Sequence, residues 1–144
     1  MFGAIPKSAW SRRYPSDETN GCVLAMRSLV IKTDDGRIVL VDNGAGNKHL
    51  KQLSYYRFFN LIDLGTELRN RGIQPEEITD VVLTHLHFDH CGYTTQKDES
   101  TGHLFLSFPN ANHWVSRKQW ENFLHPNAWR EILFHREYAS RRGC

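Results

Sequence analysis

The chain has 144 residues and a formal net charge of +2 with neutral histidines. This length indicates one modest domain, and the near-neutral charge argues against a nucleic-acid partner. The apolar runs are far too short to cross a membrane, and the first residues lack the apolar segment of a signal peptide. The three scattered cysteines have no metal-ligand spacing and suit a reducing compartment, so we expect a cytoplasmic protein.

The first half of the chain predicts a β-hairpin. Residues 1–20 have the turn chemistry of an irregular segment. Residues 22–32 and 37–41 are β-rich, and Asp34-Asp35-Gly36 between them is a hairpin signal. The second strand ends in Asp42-Asn43-Gly44. A carboxylate there can orient a metal ligand through a hydrogen bond, and a turn-stabilising role for Asp42 is the alternative.

Residues 48–73 carry helical signals, because Leu61, Leu64 and Leu68 follow helical spacing. Gly72 is the predicted stop of this helix. We interpret the aromatic cluster at residues 55–59 as core or helix packing, with the lining of a substrate mouth as the alternative.

Short elements are predicted on both sides of the most informative stretch. Pro75 suits the first turn of a short helix, and residues 80–83 form a buried strand. Further along the chain we expect a polar loop at 92–100, strands at 104–108 and 113–115, a helix from the capping residue Ser116 to Leu124, and a helix at 128–139.

The buried strand leads into four potential metal ligands, His85, His87, Asp89 and His90, in the pattern His-x-His-x-Asp-His. In extended backbone, side chains at i, i+2 and i+4 share a face. We therefore expect the first three to converge and His90 to point elsewhere, an arrangement that suits two neighbouring ions. Imidazole and carboxylate favour zinc, with iron or manganese as alternatives. The competing interpretation is a set of ordinary histidines after a strand.

Residues 84–92, Thr-His-Leu-His-Phe-Asp-His-Cys-Gly, resemble the signature of the metallo-β-lactamase-fold hydrolases. Residues 1–7, the Asp42-Asn43-Gly44 turn, residues 78–80 and residues 108–111 are similar to one lactonase-like bacterial branch of that superfamily. The resemblance implies an α/β fold in which residues 1–144 are a single partial domain, the N-terminal half of an αββα sandwich.

The resemblance also implies roles for the candidate ligands. His85 and His87 would hold one Zn²⁺, and Asp89 and His90 the other. Asp89 would also act as the catalytic residue that passes a proton to the leaving group. Asp42 would orient a ligand from behind, although the family usually has Asp-Thr-Gly where this chain has Asn43.

The motif supplies two ligands per ion, whereas a catalytic zinc usually has three. In the resembling family a third-ligand His, a bridging Asp and a last His come from farther down the chain. We therefore expect this sequence to be the N-terminal half of a longer enzyme. The other histidines are interpreted as ordinary, with His113 the best remaining ligand candidate: His49, His103, His113, His125 and His135.

The leading hypothesis is a dinuclear zinc hydrolase that opens a small ester or lactone with metal-activated water. Organophosphates and β-lactams remain open as substrates, and a nuclease is disfavoured by the charge. The competing hypothesis is a non-catalytic truncated module that binds metal weakly. It would self-associate through the uncovered apolar face of its half-sandwich.

Overall fold

A four-stranded sheet is the framework of the chain in a computed structural model that describes residues 4–55 and 57–125. The strands in chain order are β1 (Leu29–Lys32), β2 (Ile38–Val41), β3 (Asp80–Leu83), β4 (Thr95–Lys97), β5 (Leu104–Leu106) and β6 (Asn112–Val115). Strands β1, β2, β3 and β6 lie side by side in that order, and β4 pairs with β5 in a separate small sheet.

Short helices connect and cover these strands. The α-helices are α1 (Lys7–Trp10), α2 (Leu50–Tyr55), α3 (Leu64–Asn70), α4 (Phe88–Cys91) and α5 (Arg117–Leu124), and 3₁₀ turns lie at Pro75–Glu77 and Gly92–Thr94. Within the two described ranges, none of the helices has the length and apolar character needed to span a membrane.

The predicted hairpin is confirmed. Strands β1 and β2 pair antiparallel with Lys32 opposite Ile38, and the Thr33 N–H donates to the Arg37 carbonyl at 3.0 Å. Gly36 has a φ of 84°, which glycine adopts without a Cβ penalty. The first strand is shorter than predicted, since residues 22–28 lie outside it. The first strand begins only at Leu29, because its partner β2 has only four residues with which it can pair.

The order of the sheet brings two chain segments to one edge. Strand β2 pairs parallel with β3, placing Val41 opposite Val82, and β3 pairs parallel with β6. Residues that follow β2 and β3 therefore lie side by side, and the Asp42 N–H donates to the Val82 carbonyl at 3.0 Å. The carboxyl edge of such strands is where open α/β sheets place their sites.

One face of the sheet carries the hydrophobic core. Leu40 and Val81 are fully buried opposite each other, which confirms the predicted buried strand at 80–83. They belong to a cluster with side chains from helices and loops: Leu68, Ile78, Phe108 and Phe123. Strand side chains alternate between faces, so the opposite face carries Asp80 together with apolar side chains, several of which are exposed. On that face Leu29, Ile31 and Trp114 are 57%, 42% and 53% exposed.

The helix predictions are confirmed in part. Helix α3 is capped by Asp63, whose Oδ1 accepts from the Thr66 N–H at 2.7 Å, but Leu61 lies before it. Helix α5 begins where Ser116 predicts it, with Ser116 Oγ accepting from the Gln119 N–H at 3.3 Å. The predicted helix at 128–139 lies outside the described residues.

Two predictions of irregular structure are wrong. Residues 1–20 contain α1, and residues 92–100 contain a 3₁₀ turn and strand β4. Strand β4 exists because β5 pairs with it, Thr95 opposite Leu106, and a polar sequence does not reveal such a partner. The strands predicted at 104–108 and 113–115 are confirmed as β5 and β6.

The turn after β2 packs closely against the backbone that follows α4. A Cβ placed on Gly92 would lie 2.2 Å from the Ala45 carbonyl oxygen, and one on Gly46 would lie 2.8 Å from the Gly92 oxygen. Lys48 Nζ donates to the Gly92 and Thr95 carbonyls at 2.9 and 2.7 Å. Only glycine permits this close approach of the two segments. The hydrogen bonds of Lys48 then hold the segments together at the carboxyl edge of the sheet.

A buried carboxylate ties the strands together at the opposite edge. Asp80 receives hydrogen bonds from Arg37 Nη2 at 2.6 Å and from Trp114 Nε1 at 2.7 Å. The Thr79 hydroxyl donates to the same carboxylate at 2.7 Å. These contacts, the one to Arg37 foremost, followed by those to Thr79 and Trp114, lower the pKa of Asp80 to about 2.

We expect Asp80→Asn to destabilise the fold more at pH 7 than at pH 3. The folded pKa lies below the unfolded value of about 4, so the ionised carboxylate stabilises the fold fully above about pH 4. That stabilisation is lost as the pH falls toward 2. Urea unfolding at both pH values measures the gap between variant and wild type. Asp34→Asn, in the exposed hairpin turn, is the control, and an equal gap for Asp80→Asn at both pH values would contradict the assignment.

Candidate metal centre

The four candidate ligands follow β3 at the carboxyl edge of the sheet. Strand β3 ends at Leu83, and the chain enters α4 after His87, whose backbone has φ −76° and ψ 150°. Asp89 and His90 therefore lie in a helical turn, with the His90 N–H donating to the His87 carbonyl at 3.0 Å. The expectation that His85, His87 and Asp89 share one face of an extended strand is wrong, because β3 ends at Leu83 and Asp89 lies in α4.

The helical turn brings the three imidazole rings together. The ring centroid of His85 lies 3.9 Å from that of His90 and 4.6 Å from that of His87. The expectation that His90 points elsewhere is therefore wrong as well. Partial burial lowers the pKa of His85, and the neighbouring rings of His90 and His87 lower it further. The neutral form that this favours is the one that binds metal ions.

Asp42 anchors the motif from the neighbouring strand. Its Oδ1 accepts from the Thr84 N–H at 2.9 Å, and its Oδ2 lies 2.8 Å from His90 Nδ1. Burial opposes ionisation of Asp42, but the hydrogen bonds from His90 and Thr84 outweigh it and lower the pKa. An ionised Asp42 requires a proton on His90 Nδ1, which leaves the lone pair on His90 Nε2 for a metal ion.

The backbone at Asp42 has a φ of 53°, a left-handed conformation that Asp tolerates better than most residues. This conformation directs the chain from β2 into the glycine-containing turn described above. Asp42 therefore serves both the turn and the motif, so the two roles considered for it in the sequence are compatible.

Asp89 lies at the open side of the ring cluster. Its Oδ2 is 3.6 Å from His90 Nε2, and its side chain is 38% exposed. The carboxylate is thus close enough to interact with His90 and open enough to meet a solvent-borne group. Its catalytic role stays a prediction.

The donors are of the kind that zinc prefers, three imidazoles and a carboxylate. The fixed proton on His90 Nδ1 adds the hydrogen bonding that metal-bound histidines usually have. Among the described residues, however, no group of three or more His, Cys, Asp or Glu side chains is arranged as a metal-binding set. The motif fits a divalent ion in donor chemistry, and the metal-ligand roles of His85, His87, Asp89 and His90 stay predictions.

Asn43 is a contributor that the sequence did not reveal. The residue is only 1% exposed, and its N–H donates to the His90 carbonyl at 2.8 Å. Its side chain accepts from the Tyr93 N–H at 3.1 Å and donates to Thr94 Oγ1 at 2.8 Å. The departure from the usual family turn was the available signal. Asn43 therefore binds His90 through its backbone and Tyr93 and Thr94 through its side chain, which fixes both ends of the segment after the ligands.

The aromatic cluster at residues 55–59 divides between packing and exposure. Phe58 contacts Phe88 of the motif edge to face, with ring centroids 5.6 Å apart, as the packing interpretation predicts. That interpretation is wrong for Tyr55 and Phe59, which are 82% and 62% exposed. The contact braces the motif from the side of α2.

Comparisons with known proteins agree with this architecture. The metallo-beta-lactamase superfamily model matches residues 27–93. A probable metal-dependent hydrolase from Staphylococcus aureus is 31% identical, with a TM-score of 0.80 over 94% of this chain and 47% of that one. No curated protein matches the chain.

Two further solved structures are similar over smaller shares of their length. AbOPH, a hydrolase in the beta lactamase superfamily, is 25% identical, with a TM-score of 0.60 over 87% of this chain and 39% of that one. AidC, a dizinc quorum-quenching lactonase, is 26% identical, with a TM-score of 0.53 over 69% of this chain and 29% of that one.

The chain spans about half the length of the Staphylococcus aureus hydrolase. Its mixed α/β fold corresponds to half of the sandwich, as the sequence predicts. The matched segment runs from just before β1 to the residues after the motif, and it includes Asp42 and all four candidate ligands. On this evidence residues 27–93 match the metallo-β-lactamase superfamily, and the chain is similar to part of solved hydrolases, AbOPH of that superfamily among them.

Proposed function

We propose that the chain carries the principal metal-binding motif of a metal-dependent hydrolase. The observation that carries the proposal is the cluster of three imidazoles, with ring centroids 3.9 and 4.6 Å apart and His90 bound to Asp42. His85 and His87 would hold one zinc ion, and Asp89 and His90 a second. A bound divalent ion would lower the pKa of a water ligand and polarise the substrate oxygen.

The residues of the chain have distinct tasks in this proposal. Asp42 holds His90 in place through Nδ1. Asp89, whose carboxylate is partly exposed beside His90, would accept the proton released by the attacking water and pass it to the leaving group. Two ligands per ion are one fewer than a catalytic zinc usually has. The remaining ligands would come from outside the motif.

Zinc binding tests the metal site directly. We expect the purified chain, dialysed against ZnCl₂, to retain zinc above the background of the variant His85→Ala/His87→Ala. His103→Ala removes an exposed histidine from a loop outside the motif and should retain as much zinc as the wild type. Elemental analysis of all three proteins provides the measurement. Wild-type zinc equal to that of the double variant would reject the metal site.

The substrate class we propose is a small carboxylic ester or lactone. Its support is the resemblance to the lactonase-like branch and the similarity to AidC, a lactonase. This activity is proposed for the whole protein, of which the chain supplies the motif. Organophosphate and β-lactam hydrolysis are the alternatives to be compared with it.

We expect the chain itself to hydrolyse a lactone or p-nitrophenyl ester slowly and only when zinc is present. The rate should be low because the motif alone leaves each ion under-coordinated. The rate should exceed that for an organophosphate triester or a β-lactam, and both EDTA and His85→Ala/His87→Ala should abolish it. Faster triester or β-lactam hydrolysis would reassign the substrate. Zinc binding without turnover of any of them would favour a non-catalytic chain.

A second proposal concerns the exposed sheet face, formed by Leu29, Ile31 and Trp114 together with the valines between them. The register aligns Leu29, Val41, Val82 and Trp114 across the four strands. Contiguous apolar surface of this kind promotes association. We propose that a second copy of the chain covers it.

Light scattering during size-exclusion chromatography tests this association. We expect the wild type to show a mass above one chain that rises with concentration, and Ile31→Ser to shift it toward the monomer. Ile62→Ser changes an even more exposed isoleucine, 75% against 42%, in the loop before α3, and should leave the mass unchanged. A wild-type monomer at all concentrations would contradict self-association.

A further inference from the structure

Thr84 lies between the carboxylate that anchors the motif and the first candidate ligand. Its Oγ1 is 2.8 Å from Asp42 Oδ2 and 3.1 Å from Asp42 Oδ1. The same Oγ1 is 3.0 Å from His85 Nδ1. One hydroxyl therefore contacts both Asp42 and His85.

The number of hydrogens determines the direction of these contacts. A hydroxyl has one hydrogen to donate, and an ionised carboxylate has none. The Thr84 hydroxyl must therefore donate to Asp42 and accept from His85. A hydrogen bond from His85 to Thr84 requires the proton of the neutral ring to be on Nδ1, which leaves the lone pair on Nε2.

We propose that Thr84 is a positioning residue that holds His85 in the tautomer protonated at Nδ1, with Nε2 left to bind metal. The inference deepens the proposed function and rests on it for the role of the metal. Asp42 then orients two rings, His90 by direct contact at 2.8 Å and His85 through the hydroxyl.

The backbone fixes this hydroxyl in place. The Thr84 N–H donates to Asp42 Oδ1 at 2.9 Å, and the Asp42 N–H donates to the Val82 carbonyl at 3.0 Å. These two bonds join the ends of β2 and β3, so Thr84 and Asp42 stay in register. The hydroxyl contacts the His85 ring and the N–H does not depend on it, which makes removal of the hydroxyl a selective change.

Thr84→Val tests the proposal, because valine keeps the shape of threonine and removes the hydroxyl. Nitrogen-15 NMR of the imidazole rings in the metal-free chain reports the tautomer. We expect His85 in the wild type to be protonated at Nδ1, and in Thr84→Val to shift toward the Nε2-protonated form that a neutral histidine side chain prefers in water. Thr84→Ser, which restores a hydroxyl, should restore the wild-type signal.

Zinc affinity, measured by competition with a chelator, gives the second readout. We expect Thr84→Val to weaken zinc binding about 10- to 100-fold, the usual effect of losing a hydrogen-bond partner of a metal ligand, and Thr84→Ser to recover most of it. Urea unfolding checks that the variants are folded. Thr84→Ala replaces Thr84→Val if the latter does not fold.

The two readouts separate this inference from the proposed function. An unchanged His85 tautomer in folded Thr84→Val would overturn the positioning role. A changed tautomer with unchanged zinc affinity would also overturn it, because the ring orientation would then not matter to the metal. If Thr84→Val changes the His85 tautomer but the wild-type chain binds no zinc, the metal site is refuted. The hydrogen bond between Thr84 and His85 would then still be confirmed.

Discussion

The arrangement of the candidate site depends on one buried carboxylate. Asp42 follows β2 in a left-handed conformation, with a φ of 53°, and its oxygens contact Thr84 and His90. A buried carboxylate is stable only when hydrogen bonds replace its water. Thr84 and His90 supply those hydrogen bonds. The contacts that keep the Asp42 carboxylate hydrogen-bonded are therefore the same ones that position the motif.

The two ends of β3 are anchored in the same chemical way but for different purposes. Asp80, at its start, is bound by Arg37 and Trp114 and joins neighbouring parts of the sheet. Asp42 meets the residues after its end. Parallel pairing of β2 with β3 makes this division possible, because it places the carboxyl ends of these two strands on one edge. The Asp80 hydrogen bonds thus stabilise the edge of the sheet where β3 begins, and the imidazoles lie at the edge where β3 ends.

The segment after the ligands is held as firmly as the ligands themselves. Asn43 contacts the backbone at His90 and Tyr93, and the close approach of Gly92 to Ala45 leaves no room for a side chain. Because these contacts surround the helical turn that carries Asp89 and His90, they limit how far it can move. Such support is what a binding site on a short turn needs for constant geometry.

The sequence by itself determined the local features of this protein. The hairpin at Gly36, the apolar strand that delivers the motif, the cap at Ser116 and the donor types of the candidate ligands all follow from residues close together in the chain. Their spacing and chemistry suffice, because hairpin turns and helix caps form through contacts between near neighbours, and a buried strand is visible as an apolar run. The resemblance carried by residues 84–92 added the superfamily.

Only the tertiary structure decided where the ligands point. Asp42 meets Thr84 and His90 across 42 and 48 residues, and Asn43 reaches Tyr93 across 50. No periodic pattern reports such distant contacts. The extended geometry expected through Asp89 is replaced by the helical turn of α4, in which His90 contacts Asp42. The long-range hydrogen bonds, rather than the local strand period, set the geometry of the cluster.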